Sequence, residues 1–230
     1  MDDMTTFESV FAAFISGDGE LYRILGLTVC MTLLSTGFSL LAGFPTGAFM
    51  ASCSFPGKKL LRRIIQTCMS LPPVVAGLLV FLLLSRRGPL GSMQLLFSLP
   101  AMVIAQFLLI FPIVVSLTLS AIESRQKAIN QTIFTLGLPR YKTYLLMLWE
   151  CRRNLLTVML TGFGRSLSEV GAVMMVGGNI QGKTRVMTTA IMLETNKGNF
   201  SAAIALGLVL LLLAFLINAI ANHFQEADHD

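Results

Sequence analysis

Charge is what this sequence has least of. Only 13% of its 230 residues are Asp, Glu, Lys or Arg, about half the share of an ordinary soluble domain. Three runs contain none at all: Ile24 to Gly57, Ile64 to Ser85 and Gly88 to Ile122. Each reaches the roughly 20 residues that carry a helix across about 30 Å of hydrocarbon. A soluble helix this long and this apolar would have no face for water, so a soluble globular reading is excluded. The four cysteines, Cys30, Cys53, Cys68 and Cys151, form no C-x-x-C pair and no metal-ligand spacing. The two histidines, His223 and His229, stand together near the C-terminal end. No metal centre and no cofactor is therefore expected on this chain. The first residues include Asp2 and Asp3 and lack the basic segment of a signal peptide. Phe7, Val10, Phe11, Phe14 and Ile15 recur instead at helical spacing, which predicts a short interfacial helix over about 1–20.

What is there in abundance is apolar helix. We read a single all-α transmembrane domain over 1–230, with five spans at about 24–50, 62–84, 99–121, 154–177 and 201–223. A mixed loop, Asn179 to Asn199, joins the last two. Lys58, Lys59, Arg62 and Arg63 fall between the first two spans; Arg125, Lys127, Arg140, Lys142, Arg152 and Arg153 fall between the third and fourth. These two segments share a side and hold most of the 17 basic residues, which makes that side cytoplasmic. The N-terminus is then outside and the C-terminus inside. The net charge of +5 is a topology signal, and no nucleic-acid partner is expected.

Two features interrupt the spans. Pro72 and Pro73 remove two backbone donors and break regular helix in the second. The break is either a packing kink or a stretch supported by a water-lined pathway. In the fourth span Arg165 and Glu169 are the only charges, four residues apart and so on one helix face. Charge at that depth costs at least a few kcal/mol and must face protein or water. The pair is either an electrostatic element beside an anion path or a clamp that holds the helix in register. The clamp is favoured, because an unopposed buried cation would hold a divalent anion too tightly for release.

The polar stretch 123–153 reads as a cytoplasmic helical hairpin. Gly137 can end one helix in the left-handed conformation, and Pro139 can open the next but cannot extend the first. Ile129, Ile133 and Leu136 give the first arm an apolar stripe; Tyr144, Leu145, Leu148 and Trp149 give one to the second.

Gln131-Thr132-Ile133-Phe134-Thr135-Leu136-Gly137 resembles the cytoplasmic E-A-A…G motif of ATP-driven (ABC) importer permeases, with Leu136-Gly137 in register. It departs from the motif at Gln131, where Glu is usual, and at Glu150, where a terminal Pro is usual. Ser70-Leu71-Pro72-Pro73-Val74-Val75-Ala76-Gly77 and Gly162 to Val173 resemble the oxyanion branch of that family, which serves molybdate, sulfate and tungstate. The segments Val176-Gly177-Gly178-Asn179-Ile180, Thr184 to Ile191 and Leu193 to Phe200 are similar to tungstate-type permeases in particular.

The resemblance implies a binding-protein-dependent permease fold, a permease homodimer in the bilayer, a cytoplasmic ABC ATPase dimer and an extracytoplasmic substrate-binding protein. It implies that ATP and Mg²⁺ are used by the partner ATPase and that this chain is not itself an enzyme. Gln131, Phe134, Gly137, Leu138, Pro139 and Tyr141 would couple to the ATPase. Pro72, Pro73, Arg165, Glu169, Gly177, Gly178 and Asn179 would shape the pathway. The cargo would be tungstate, with molybdate or sulfate as the alternatives. An ion-gradient-driven transporter is disfavoured, since no inverted repeat and no chain of buried carboxylates is visible. A purely structural membrane protein is the remaining rival.

One motif is declined. Gly177 to Thr184 spells G-x-x-x-x-G-K-T, the phosphate-binding P-loop, which requires a preceding strand and a following helix. Here it follows a membrane span on the side opposite the hairpin.

Overall fold

The computed structural model describes residues 19–136 and 147–226, with side chains described at 19–125 and 147–220. Every regular element among them is helical. In chain order these are α1 (Gly19–Ser52), α2 (Lys58–Met69), α3 (Pro73–Leu84), a 3₁₀ turn (Gly91–Met93), α4 (Leu99–Leu136), α5 (Arg152–Leu167), α6 (Gly171–Gly177), α7 (Met187–Asn196) and α8 (Phe200–Glu226). Among the described residues three stretches are single helices long and apolar enough to cross a membrane: Gly19–Ser52, Leu99–Arg125 and Phe200–Ile220. The bent pair α2–α3 can form a fourth.

The stretch of the second expected span, 62–84, is interrupted at the two prolines. It is two helices meeting at 103°, because Pro72 and Pro73 have no N–H to continue the ladder. The fourth, 154–177, is also two helices, and neither α5 nor α6 alone is long enough to cross. Its break at Ser168–Val170 is held by Glu169. Glu169 Oε1 accepts from the Ala172 amide at 3.3 Å, and the Glu169 carbonyl accepts from Thr188 Oγ1 at 3.0 Å. The expected loop Asn179 to Asn199 contains α7. The start of α7 is capped twice: the N-cap Val186 N–H donates to Thr189 Oγ1 within the helix, and the Met187 N–H donates to Thr28 Oγ1 of α1. The first hairpin arm is not a separate helix, since α4 runs unbroken from Leu99 to Leu136.

The long helix α4 is the centre of the molecule. Its apolar window is 61% buried, against 22% for that of α8, and it packs on α1, α2, α3, α5 and α6. Gly43 and Gly47 of α1 let that helix approach closely: a Cβ on either would fall within 3 Å of Val114 or Thr118 of α4. Close contact of this kind matters in lipid, where apolar burial between helices gives little drive and van der Waals packing takes over.

A polar knot lies inside this packing. Gln106 Oε1 of α4 accepts from Ser35 Oγ of α1 and Ser166 Oγ of α5, each at 2.5 Å, and Gln106 Nε2 donates to the Ser166 carbonyl at 2.9 Å. All three residues are buried. Gln106→Leu would remove three hydrogen bonds of the knot and leave the two hydroxyls their mutual bond at 2.9 Å and the Ser35 bond to the Thr32 carbonyl, a loss of about 1–3 kcal/mol. Thermal unfolding in detergent is expected to show a clearly lower midpoint for that variant than for Ser124→Ala, at an exposed position of the same helix.

Candidate functional site

The two helix breaks lie side by side. A Cβ built on Gly171, which opens α6, would sit 3.1 Å from Val74 Cγ2 and 3.6 Å from Pro73 Cβ. From there α3 and α6 run in intimate contact: a Cβ on Gly77 would stand 2.8 Å from the Ala172 Cα. Ala76, Val80 and Leu84 interlock with Ala172, Val173 and Val176 in one buried cluster, joined by Met31, Met102 and Ala105. Two half-length helices, each opening at a chain break, therefore form a unit leaning on α4.

Arg165 and Glu169 bracket the α5–α6 break. Arg165 Nη2 lies 3.5 Å from Glu169 Oε2, with the carboxylate 5% exposed and the guanidinium 38% exposed. The second carboxylate oxygen caps α6 through the Ala172 amide, where negative charge is favoured by the helix dipole. Arg165 Nε is buried and has no hydrogen-bond partner among the described residues. Glu169 thus binds one helix to the next while moderating a half-exposed cation. Of the sequence-derived pathway residues, Arg165 pairs with Glu169, and Pro73 lies beside Gly171, two residues after Glu169. Gly177, Gly178 and Asn179 sit apart, at the far end of α6. Gly177 meets Met102 there, and Gly178, at φ +69, meets Phe97. Asn179 has φ 50, and its Oδ1 is buried without a partner among the described residues.

The P-loop lookalike folds into a closed turn. Thr184 Oγ1 donates to the Gly177 carbonyl at 2.6 Å and accepts from the Ile180 amide at 2.9 Å. The amides of Lys183, Thr184 and Arg185 all point at the Ile180 carbonyl. These amides are turned into the loop, the reverse of a phosphate-binding cradle. Nearby, Glu20 at the start of α1 accepts from Gln181 Nε2 at 2.8 Å and Arg185 Nη1 at 3.2 Å.

At the opposite end α4 continues toward the hairpin. Gln131 and Phe134 lie in α4, with side chains outside the described set; Gly137, Leu138, Pro139 and Tyr141 lie outside the described residues, as does nearly all of the expected interfacial helix 1–20. The residues that flank the expected hairpin are described. Arg125 Nη1 donates to the Glu150 carbonyl at 3.3 Å, and Cys151 Sγ approaches the Ala121 carbonyl at 3.6 Å. Met147, Cys151 and Leu155 pack with Ala48, Val115, Leu119 and Ile122. Trp149 departs from the expected apolar stripe. It is 65% exposed, and the Arg152 guanidinium lies 4.9 Å from its ring centroid.

Burial pushes the Cys151 thiol above its ordinary pKa; Arg125 pulls it back, and Glu150 adds a smaller push upward. A raised value leaves the thiol neutral near pH 7, and the thiolate is the reactive form. Maleimide labelling of Cys151 is expected to lag well behind that of half-buried Cys68 and to accelerate between about pH 7 and about pH 9.

A long continuous helix, α4, thus lies beside two interrupted ones, the α2–α3 and α5–α6 pairs. The sequence profile of the family described as "binding-protein-dependent transport system inner membrane component" matches residues 43–227. The chain belongs to that family; it is a multi-pass inner-membrane permease subunit of an ABC importer. It is 41% identical over 220 residues to the tungstate uptake system permease protein TupB of Peptoclostridium acidaminophilum, covering 96% of each chain. It is 43% identical over 172 residues to TupB of Campylobacter jejuni, covering 75% of this chain and 72% of that one. It is 30% identical over 206 residues to the molybdenum transport system permease protein ModB of Escherichia coli, covering 81% and 90%.

The Ser35–Gln106–Ser166 knot and the pairing of the two breaks were missed by sequence reasoning. A weak signal for the first existed in the recurrence of Thr28, Thr32, Ser35, Thr36 and Ser39 along one face of α1.

Proposed function

We propose that this permease carries tungstate into the cytoplasm, as a homodimer with two ATPase subunits on its cytoplasmic face and a binding protein outside. The observation that carries the cargo is the 41% identity to a tungstate uptake permease along nearly the whole chain. Molybdate and sulfate are the second reading, supported by 30% identity to ModB and 31% to a sulfate transport system permease protein, CysW of Synechocystis.

The orientation we propose, N-terminus outside and C-terminus inside, is supported by which charges meet. Arg62 pairs with Glu123 and Arg125 reaches the Glu150 carbonyl, so the two basic segments gather at one end. Glu20, Gln181 and Arg185 gather at the other. In this reading the pathway runs past the α2–α3 and α5–α6 breaks, since interrupted backbone at membrane depth is tolerated where it is buried in protein or lines water. There Glu169 clamps α5 to α6 through its ion pair with Arg165 and its cap on the Ala172 amide.

Coupling falls to the hairpin. Gly137→Ile, which disfavours a left-handed corner, is expected to leave ATP hydrolysis by the assembled complex in place while uptake falls at least about tenfold. The cargo is tested by uptake of labelled tungstate into proteoliposomes holding the permease, its ATPase and its binding protein, with molybdate or sulfate as competitors. Tungstate uptake resistant to a large excess of both supports the proposal. Preferential uptake of either competitor would reassign the cargo.

A further inference from the structure

Helix α2 stands apart from the bundle. None of its residues is buried, and among the described helices it packs substantially on α4 alone. Lys59, Arg63 and Gln66 face outward on its polar side. Leu60 and Ile64 are exposed on its apolar side. Ile65 rests on the cluster of Ala48, Val115 and Leu119. At its C-terminal end the chain turns through 103° into α3 at Pro72 and Pro73, which donate no backbone hydrogen bonds across the corner. Both prolines fix φ, so any change of angle at the corner is confined to ψ, and among the described helices α2 is placed by its contact with α4.

That contact has one directional element. Arg62 Nη1 and Nη2 donate to Glu123 Oε1 and Oε2 at 3.1 and 2.9 Å, a fork-to-fork pair. Two parallel bonds fix orientation as well as distance. The pair is 39% and 28% exposed, so it adds little to the stability of the fold; what it supplies is geometry. Glu123 lies on α4 just before the stretch that leads without interruption to Leu136. The other end of α2 is the break at which Pro73 and Val74 face Gly171.

We infer that Arg62 and Glu123 are positioning residues for transport, a strut that carries movement of the hairpin end of α4 into α2 and through it to the paired helix breaks. The inference rests on the reading of the hairpin as the ATPase-facing element and of the breaks as the pathway. A displacement of α4 at Glu123 drags Arg62 with it, and the Pro72–Pro73 corner takes up the difference as α3 stays packed on α6. Without the strut, α2 follows α4 through side-on packing, that of Ile65 included, which fixes no orientation.

The test uses the full complex of permease, ATPase and binding protein in proteoliposomes, with oxyanion uptake and ATP hydrolysis measured in the same sample. Arg62→Gln and Glu123→Gln are each expected to lower uptake per ATP by about fivefold or more, with assembly and thermal midpoint unchanged. The exchange Arg62→Glu with Glu123→Arg is expected to restore at least half of the loss. Arg63→Gln, one residue along on the exposed side, is expected to behave as wild type. An unchanged ratio in the single variants, no recovery in the exchange, or single variants that fail to assemble would each overturn the assignment, the last by making the pair merely structural. Wild-type complex that shows no ATP-dependent uptake would overturn the underlying reading as well, and is recognised before any variant is made.

Discussion

Gly77→Val is expected to abolish uptake while the protein still inserts into the membrane. A Cβ at this position would lie 2.8 Å from the Ala172 Cα, 3.0 Å from Met175 Cβ and 3.2 Å from the Ala172 carbonyl oxygen. Two of those atoms are backbone, so no side-chain rotation clears the space. Either α3 or α6 must move, and both are anchored at chain breaks that meet at Gly171 and Val74. Overpacking of this kind costs about 1–3 kcal/mol and occasionally more. In a short helix pair the strain appears as separation of the two halves, which disorders the pathway. Uptake is expected to fall below about a tenth of wild type, in keeping with the loss a misplacement of about 1 Å can cause. Gly207→Val is the matched control, because nothing lies within 4 Å of a Cβ there. Near-normal uptake by Gly77→Val would show that the α3–α6 contact is not part of the transport route.

Glu169→Gln has the second largest expected effect, and it separates two roles for one residue. The amide can still accept from the Ala172 N–H, as the carboxylate does at 3.3 Å. It cannot balance the Arg165 guanidinium, 3.5 Å away. Loss of a charge-assisted contact at a carboxylate this buried costs about 1–3 kcal/mol. For a clamp, the thermal midpoint and the maximal uptake rate fall together while the oxyanion concentration giving half-maximal uptake stays put. For an element acting on the anion, removing the opposing negative charge tightens oxyanion binding. A half-maximal concentration shifted by about tenfold or more, with the midpoint unchanged, would therefore transfer Glu169 from clamp to pathway.

The class of the protein was legible in the sequence because the bilayer imposes simple rules. The uncharged runs Ile24 to Gly57 and Gly88 to Ile122 could only be long helices, and α1 and α4 are that. The chemistry of local pairs was legible too: an i,i+4 spacing places Arg165 and Glu169 on one face, and their ion pair follows. Illegible features depend on residues far apart in the chain. The break after Leu167 is held by Thr188, and the amide that follows Val186 is satisfied by Thr28. No window of hydropathy contains either partner. The interruption at Pro72–Pro73 was visible as a loss of donors, but not that it would turn α2 through 103°. The hydropathy of 62–84 hid the amphipathic face of α2, since Lys58 and Lys59 lay outside the window that Arg62 and Arg63 begin. Gln106 looked like an isolated polar residue in an apolar run until Ser35 and Ser166 arrived from two other helices.

The central claim is that this chain moves an oxyanion with energy taken from ATP through a separate subunit. It is tested most directly by oxyanion uptake into proteoliposomes of the complete complex, with ATP present or absent at the ATPase face and with ionophores that collapse every ion gradient. The account requires uptake that depends on ATP and is indifferent to the ionophores. Uptake that persists without ATP and follows an imposed proton or sodium gradient would contradict it.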